Sequence, residues 1–304
     1  MGSTRRQAAA KAAAAPGPAA GSADQGPYFD PERFGPEEVA AFRAYILAEY
    51  RAAPRSFPWR ETRDPWAILV SEVMLQQTQT DRVVPKYLAF LKAFPGPAEL
   101  AAAPLAELLA LWSGLGYNRR ALALKRAAEV VAARPGRALP EDEAGLLELP
   151  GVGPYTARAV LAFAFDRPSV FIETNIRSVF LHHFFPGAEG IGDARLEPLV
   201  RASLDAGDPR TWYYALMDRG VAIKKRHGNP NKRSAHHATQ SRFEDSHRRI
   251  RGAALRLLGE RGRITRDELA ADLPFARERV ERAADELVAE GFASERDGTL
   301  FIGE

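Results

Sequence analysis

The chain has 304 residues and not one cysteine. That excludes disulfides, a thiol nucleophile and any all-cysteine zinc or iron–sulfur site. Such a composition suits a reducing compartment, and a cytoplasmic protein is expected. No run of about twenty apolar residues occurs, so neither a transmembrane helix nor a membrane partner is expected. Charge of one sign is also scarce in excess, with a formal net charge of only +3. The placement of charge therefore says more than its sum. The first 25 residues are rich in Ala, Gly, Pro and Ser and have no apolar signal core, which predicts a disordered tail over residues 1–35.

What is present is helical. Leu, Ala, Glu and Arg dominate, and the long segments repeat their apolar residues with helical spacing. The class is mainly α. Helices are predicted over about 36–50, 66–79, 81–93, 104–112, 119–133, 140–149, 155–165, 174–185, 193–206 and 209–223. Between Arg219 and Arg263 basic residues greatly outnumber acidic ones, an electrostatic pattern fitted to a phosphate backbone. Residues 226–245 read as a basic, weakly structured connector after the break Gly228-Asn229-Pro230-Asn231. Beyond it, helices over 246–259, 265–273 and 275–290 precede strands near 292–295 and 299–302, with an Asp297-Gly298 turn between the strands. This predicts a small winged-helix-like α+β domain over residues 246–304.

The sharpest local motif is Leu149-Pro150-Gly151-Val152-Gly153-Pro154-Tyr155-Thr156-Ala157. Gly151 and Gly153 allow a tight turn between helices and bare successive amide N–H groups. With the following helix N-terminus these groups suit a phosphate. An ordinary helix–helix turn is the plainer reading of the glycines alone.

The whole segment resembles the hairpin of the helix-hairpin-helix DNA glycosylase superfamily, which includes endonuclease III and MutY. Ser71-Glu72-Val73-Met74-Leu75-Gln76-Gln77-Thr78-Gln79 is similar to the signature of the MutY-type adenine DNA glycosylases. The resemblance covers residues 36–225 and implies a two-lobed helix-hairpin-helix glycosylase fold. Its substrate would be double-stranded DNA carrying a mispaired or damaged base, and a monomer is expected.

By periodicity alone Glu72 reads as a solvent-facing glutamate near a helix end; the resemblance of the nine-residue string favours a buried acid instead. A helical carboxyl among Ile68, Leu69, Val73 and Leu75 would have its pKa raised by desolvation, as a general acid near neutrality needs. The resemblance implies that Glu72 protonates N7 of the purine and that Gln77 fills the stack after base flipping. It further implies that Arg60 of Phe57-Pro58-Trp59-Arg60 lies near the base pocket. In Leu111-Trp112-Ser113-Gly114-Leu115-Gly116-Tyr117, Leu115 and Tyr117 would face the base opposite the target. Trp112 reads as core.

Bifunctional members carry a lysine where this chain has Tyr155. A phenol is no amine, so a monofunctional glycosylase without a lyase step is implied. The family places an aspartate where Phe171-Ile172-Glu173-Thr174-Asn175 supplies Glu173. That carboxylate would stabilise positive charge on the sugar; it also reads as a plain helix cap. Tyr155 is expected to hydrogen-bond Glu173 or the sugar.

Relatives of this type carry four cysteines for a [4Fe–4S] cluster, and Lys224 stands about where the first would lie. No cofactor and no metal are expected. Lys224, Lys225 and Arg226 would contact phosphate instead. His227, His236, His237 and His247 fit no metal spacing. The winged-helix-like segment stands where MutY proteins carry a domain that reads 8-oxoguanine. DNA binding and protein contact both remain open for it. The expected activity is excision of adenine opposite guanine or 8-oxoguanine. The alternatives are a same-fold glycosylase for thymine or uracil opposite guanine or for hypoxanthine, and a non-enzymatic lesion-binding protein.

Overall fold

The computed structural model describes residues 25–237 and 246–303. The first domain runs α1 (Pro36–Ala52), α2 (Pro65–Leu75), α3 (Thr80–Ala93), α4 (Pro97–Ala102), α5 (Leu105–Trp112) and α6 (Arg119–Ala132). It continues through α7 (Glu143–Leu147), α8 (Pro154–Phe165), α9 (Thr174–Phe184), α10 (Asp193–Ser203) and α11 (Pro209–His227). Five of these helices open on proline, whose missing N–H costs nothing in a first turn. Asp64 caps α2 through the N–H groups of Trp66 and Ala67, both at 3.2 Å.

α2 is the central element. Every residue from Trp66 to Met74 is buried, including Ser71 and Glu72. A helix apolar on all sides must be packed on all sides, and α2 lies against α3, α6 and α8, while α11 lies against α1, α8 and α9. The spacing predicted that α2 would continue to Gln79, but it stops at Leu75. Gln76 takes an extended ψ of 111° and Gln77 a left-handed φ of 56°. The cause is a residue far along the chain. Arg120 donates to the carbonyls of Val73, Met74 and Gln76 at 2.8, 2.9 and 2.5 Å, satisfying groups that a longer helix would have bonded internally. In α4, which periodicity did not predict, Lys125 plays the same part. Its ammonium donates to the carbonyls of Leu100, Ala101 and Ala103.

Order also extends beyond the expected boundaries. Residues 25–35 fall in the expected tail, yet Phe29 N–H donates to His183 O at 2.8 Å and its ring stacks on Phe184. The rest of the expected tail, residues 1–24, lies outside the described residues. In the expected connector, α11 continues to His227 and a 3₁₀ turn spans Pro230–Arg233. Asn231 is buried there, donating to Thr174 O at 2.8 Å and Ser178 Oγ at 2.7 Å. Residues 238–245 of the connector also lie outside the described residues.

The C-terminal domain comprises α12 (His247–Arg261), β1 (Arg263–Thr265), α13 (Arg266–Asp272), α14 (Arg277–Ala289), β2 (Ala293–Arg296) and β3 (Thr299–Ile302). Its three strands form an antiparallel sheet in the order β1-β3-β2. Asp297 and Gly298 turn between β2 and β3 with φ of 48° and 71°, as a primed hairpin turn requires. β1 was not predicted, being three residues long with one buried side chain. The helices close over Leu258, Ile264, Val280, Phe292 and Leu300.

Gly220 of α11 marks how closely α11 and α9 approach. A Cβ there would stand 2.3 Å from the carbonyl oxygen of Asn175, in the first turn of α9. Backbone cannot swing aside as a side chain can. Gly220→Ala is therefore expected to destabilise the protein by about 1–3 kcal/mol, read as a lower urea midpoint with an unchanged slope.

Candidate active site

Glu72 sits one turn before the end of α2 and is 5% exposed. Tyr155, in the first turn of α8, donates its hydroxyl to Glu72 Oε2 at 3.0 Å. Burial pushes the Glu72 carboxyl from 4.5 up to about 7; the Tyr155 hydrogen bond opposes that rise and the charge of Glu173 adds to it. Burial and the two carboxylates push the Tyr155 phenol well above its ordinary range, so it stays a donor. Its ring is held edge-on against Phe171 at 5.6 Å.

The hairpin is built as the glycines suggest. Gly151 has φ 78°, and a Cβ there would meet Ala123 Cβ at 2.6 Å. Both conformation and space therefore demand glycine. Val152 anchors the turn in the core, its N–H bonded to Leu149 O at 3.0 Å. Gly151, Gly153 and Pro154 are exposed around it. Gly153 is the N-cap of α8, so the open end of that helix faces outward beside Tyr155.

Glu173 is an N-cap. Its Oε1 accepts from the N–H groups of Asn175 and Ile176 at 2.7 and 2.8 Å. Its Oε2 accepts from Thr174 Oγ1 and Asn175 Nδ2, both at 3.1 Å. The expected contact between Tyr155 and Glu173 is not the one formed, because the phenol turns to Glu72. Asn175 links Glu173 onward to Lys224, whose Nζ donates to Asn175 Oδ1 at 2.9 Å. Burial lowers the Lys224 pKa, against the pull of Glu173. Lys225 and Arg226 are exposed on the last turn of α11.

Other expected residues fall differently. Arg60 does not reach toward an open pocket; its guanidinium grips Asp218 at 2.8 and 2.9 Å and lies 4.4 Å from the Tyr214 ring centre. The Leu115 side chain is 3% exposed, so it packs inward, while its carbonyl accepts from Thr78 at 3.3 Å. Gln77 and Tyr117, both left-handed, share the rim of an open polar cleft of about 650 Å³ with Thr174, Arg177 and Lys224.

Sequence reasoning missed Arg120, whose guanidinium ties the Gln76–Thr78 turn to the Leu115 and Gly116 carbonyls. An arginine three residues past the aromatic of a glycine turn was its only signal. Also missed was Asp218, the partner that fixes the Arg60 guanidinium. The four-cysteine cluster has no ligands in this chain. Among the described residues no group of three or more His, Cys, Asp or Glu side chains gathers as a metal site.

The raised pKa of Glu72 has a stability cost with a definite sign. Below about pH 4.5 both folded and unfolded chains hold the proton, and nothing is lost. As pH rises toward 7 the unfolded chain releases it first, so stability falls, and above 7 the loss is constant. The shift corresponds to about 3 kcal/mol. Glu72→Gln keeps an acceptor for Tyr155 without the charge. It is expected to be more stable than the parent at pH 8 and equal to it at pH 4, by urea unfolding at both.

Residues 70–203 match the HhH-GPD superfamily of base excision DNA repair proteins. An adenine DNA glycosylase of Mycolicibacterium smegmatis is 40% identical over 181 residues, 59% of this chain and 61% of that protein. The adenine DNA glycosylase of Mus musculus is 34% identical over 61% of this chain and 38% of its own length. A thymine/uracil-DNA glycosylase of Pyrobaculum aerophilum is 38% identical over 46% of this chain and 61% of its own. The chain thus spans less than two thirds of the length of each of these relatives. Among solved structures, a thermostable thymine-DNA glycosylase superposes with TM-score 0.56 at 27% identity, covering 64% of this chain and 92% of that one. The glycine hairpin and the buried Glu72 both lie within residues 70–203, the segment that matches the HhH-GPD superfamily of base excision DNA repair proteins.

Proposed function

We propose that the protein is a monofunctional DNA glycosylase that hydrolyses the N-glycosidic bond of adenine opposite guanine or 8-oxoguanine. The observation that carries this reading is Glu72, a buried carboxyl titrating at about 7 with a phenol at 3.0 Å. A group so poised is protonated enough to give its proton and ionised enough to take one back.

Glu72 protonates N7 of the flipped adenine. The glycosidic bond then breaks with its electron pair going to the base, which leaves neutral, and positive charge builds on the sugar. A water adds to C1′ and passes its proton to Glu72, restoring the acid. Glu173 supplies negative charge near the sugar. Its four hydrogen bonds hold the carboxylate still, and that preorganisation offsets its extra methylene relative to aspartate. Tyr155 holds Glu72 in place and has no amine for a Schiff base.

The remaining surface is read as a DNA track. Gly151, Val152 and Gly153 with the α8 N-terminus bind one phosphate, and Lys224, Lys225 and Arg226 bind others. Gln77 enters the stack, and Tyr117 contacts the base opposite the excised one. The thymine and uracil glycosylases among the relatives keep a second reading, excision of thymine or uracil opposite guanine.

Single-turnover cleavage of duplexes holding A·8-oxoG, A·G, T·G, U·G and hypoxanthine separates these readings. Product is expected on the adenine duplexes, with strand breaks only after alkali; no product on any duplex sinks the proposal. Glu72→Gln should lower the rate by about 10²–10⁴-fold. The parent's rate should fall as pH rises through about 7. In Tyr155→Phe that limb should move to higher pH, because the lost hydrogen bond had held the Glu72 pKa down. An unmoved limb would remove Tyr155 from the control of Glu72.

A further inference from the structure

The two domains meet along an apolar seam with an ionic rim. Leu109 of α5 and Leu122 of α6 pack against the C-terminal core, and Ile302 of β3 packs against both cores. At the rim Glu290, just past α14, accepts from Arg119 Nε and Nη2 at 2.8 and 2.6 Å. It also accepts from Arg251 of α12 at 2.8 and 2.6 Å. These guanidinium bonds push the Glu290 carboxyl down to about 2, so it stays ionised through the neutral range. Two residues before Arg119, the Tyr117 hydroxyl accepts from Arg248 Nη1 at 2.5 Å. Arg248 and Arg120 each place a guanidinium 5.5 Å from the Tyr117 ring centre.

Tyr117 has φ 49°, a conformation that a non-glycine residue keeps only where its surroundings hold it. The C-terminal domain thus touches a strained, rim-forming aromatic through Arg248 and the chain two residues beyond it through Glu290. Meanwhile α14, which a winged helix would insert in a groove, has its exposed cations engaged at home. Arg277 pairs with Asp267 and Glu281, and Arg282 with Glu286.

We infer that the C-terminal domain is a positioning element, in which Arg248 and Glu290 hold the turn from left-handed Tyr117 into α6 and thereby set discrimination of the base opposite the excised one. The discrimination part rests on the proposed role of Tyr117. The positioning part does not, so the two are tested apart.

Hydrogen exchange on the full chain reads positioning without any substrate. The amides of Arg120 and Ala121 bond to the carbonyls of Tyr117 and Asn118 at 2.9 Å and report on this turn. In Arg248→Met and Glu290→Gln these amides should exchange about three- to tenfold faster, the scale of one partly exposed charge-assisted hydrogen bond. Hairpin amides near Val152 should not change. Unaltered exchange at Arg120 and Ala121 in both variants overturns the inference, whether or not any duplex is cleaved.

The second measurement is the ratio of single-turnover rates on A·G and A·C duplexes. It should fall by a similar factor in Arg248→Met and recover in part in Arg248→Lys. Tyr117→Phe should abolish the effect of Arg248→Met, since the two act through one contact. A ratio that stays at the parent value while exchange accelerates overturns the discrimination role. Additive losses in the double variant overturn the route through Tyr117.

Discussion

The structure depends on a carboxyl that is almost wholly buried. α2 is packed on every side, and Glu72 is carried inside on it. An ionised carboxylate there would be costly, so the group keeps its proton to about pH 7. Everything near it follows from that constraint. α8 must begin at the hairpin so that Tyr155 can bring a hydroxyl to the one oxygen in need of a donor. The hairpin must be glycine at Gly151 because Ala123 leaves no room for a side chain.

The second carboxylate is handled in the opposite way. Glu173 lies on a helix N-terminus, where two backbone N–H groups and two side-chain donors stabilise its charge. The two glutamates are close enough for the charge of Glu173 to raise the pKa of Glu72. Burial raises the pKa of the first carboxyl, and four donors fix the position of the second.

Arginine clamps organise the periphery. Arg120 ends α2 and binds the Gln77 turn to the Tyr117 turn, while Arg60 and Asp218 lock the entry to α2 onto α11. Glu290 and Arg119 extend the same device across the domain seam. Each clamp joins residues tens to hundreds apart in the chain, so a change in one loop is felt in another.

By itself the sequence determined the helical class, most element positions, the hairpin and the small C-terminal domain, and it singled out Glu72. These rest on local periods, on prolines and glycines whose backbone demands are local, and on a nine-residue string carrying its own chemistry. Only the tertiary structure decided where α2 stops, that Tyr155 serves Glu72 and not Glu173, and that Leu115 turns inward. It also decided that Arg60 is spent on Asp218 and that residues 25–35 and Asn231 are ordered parts of the fold. In each case the deciding partner lies far off in sequence. A hydrogen bond or ion pair is chosen by which groups the packed helices bring within 3 Å, and no local pattern carries that information.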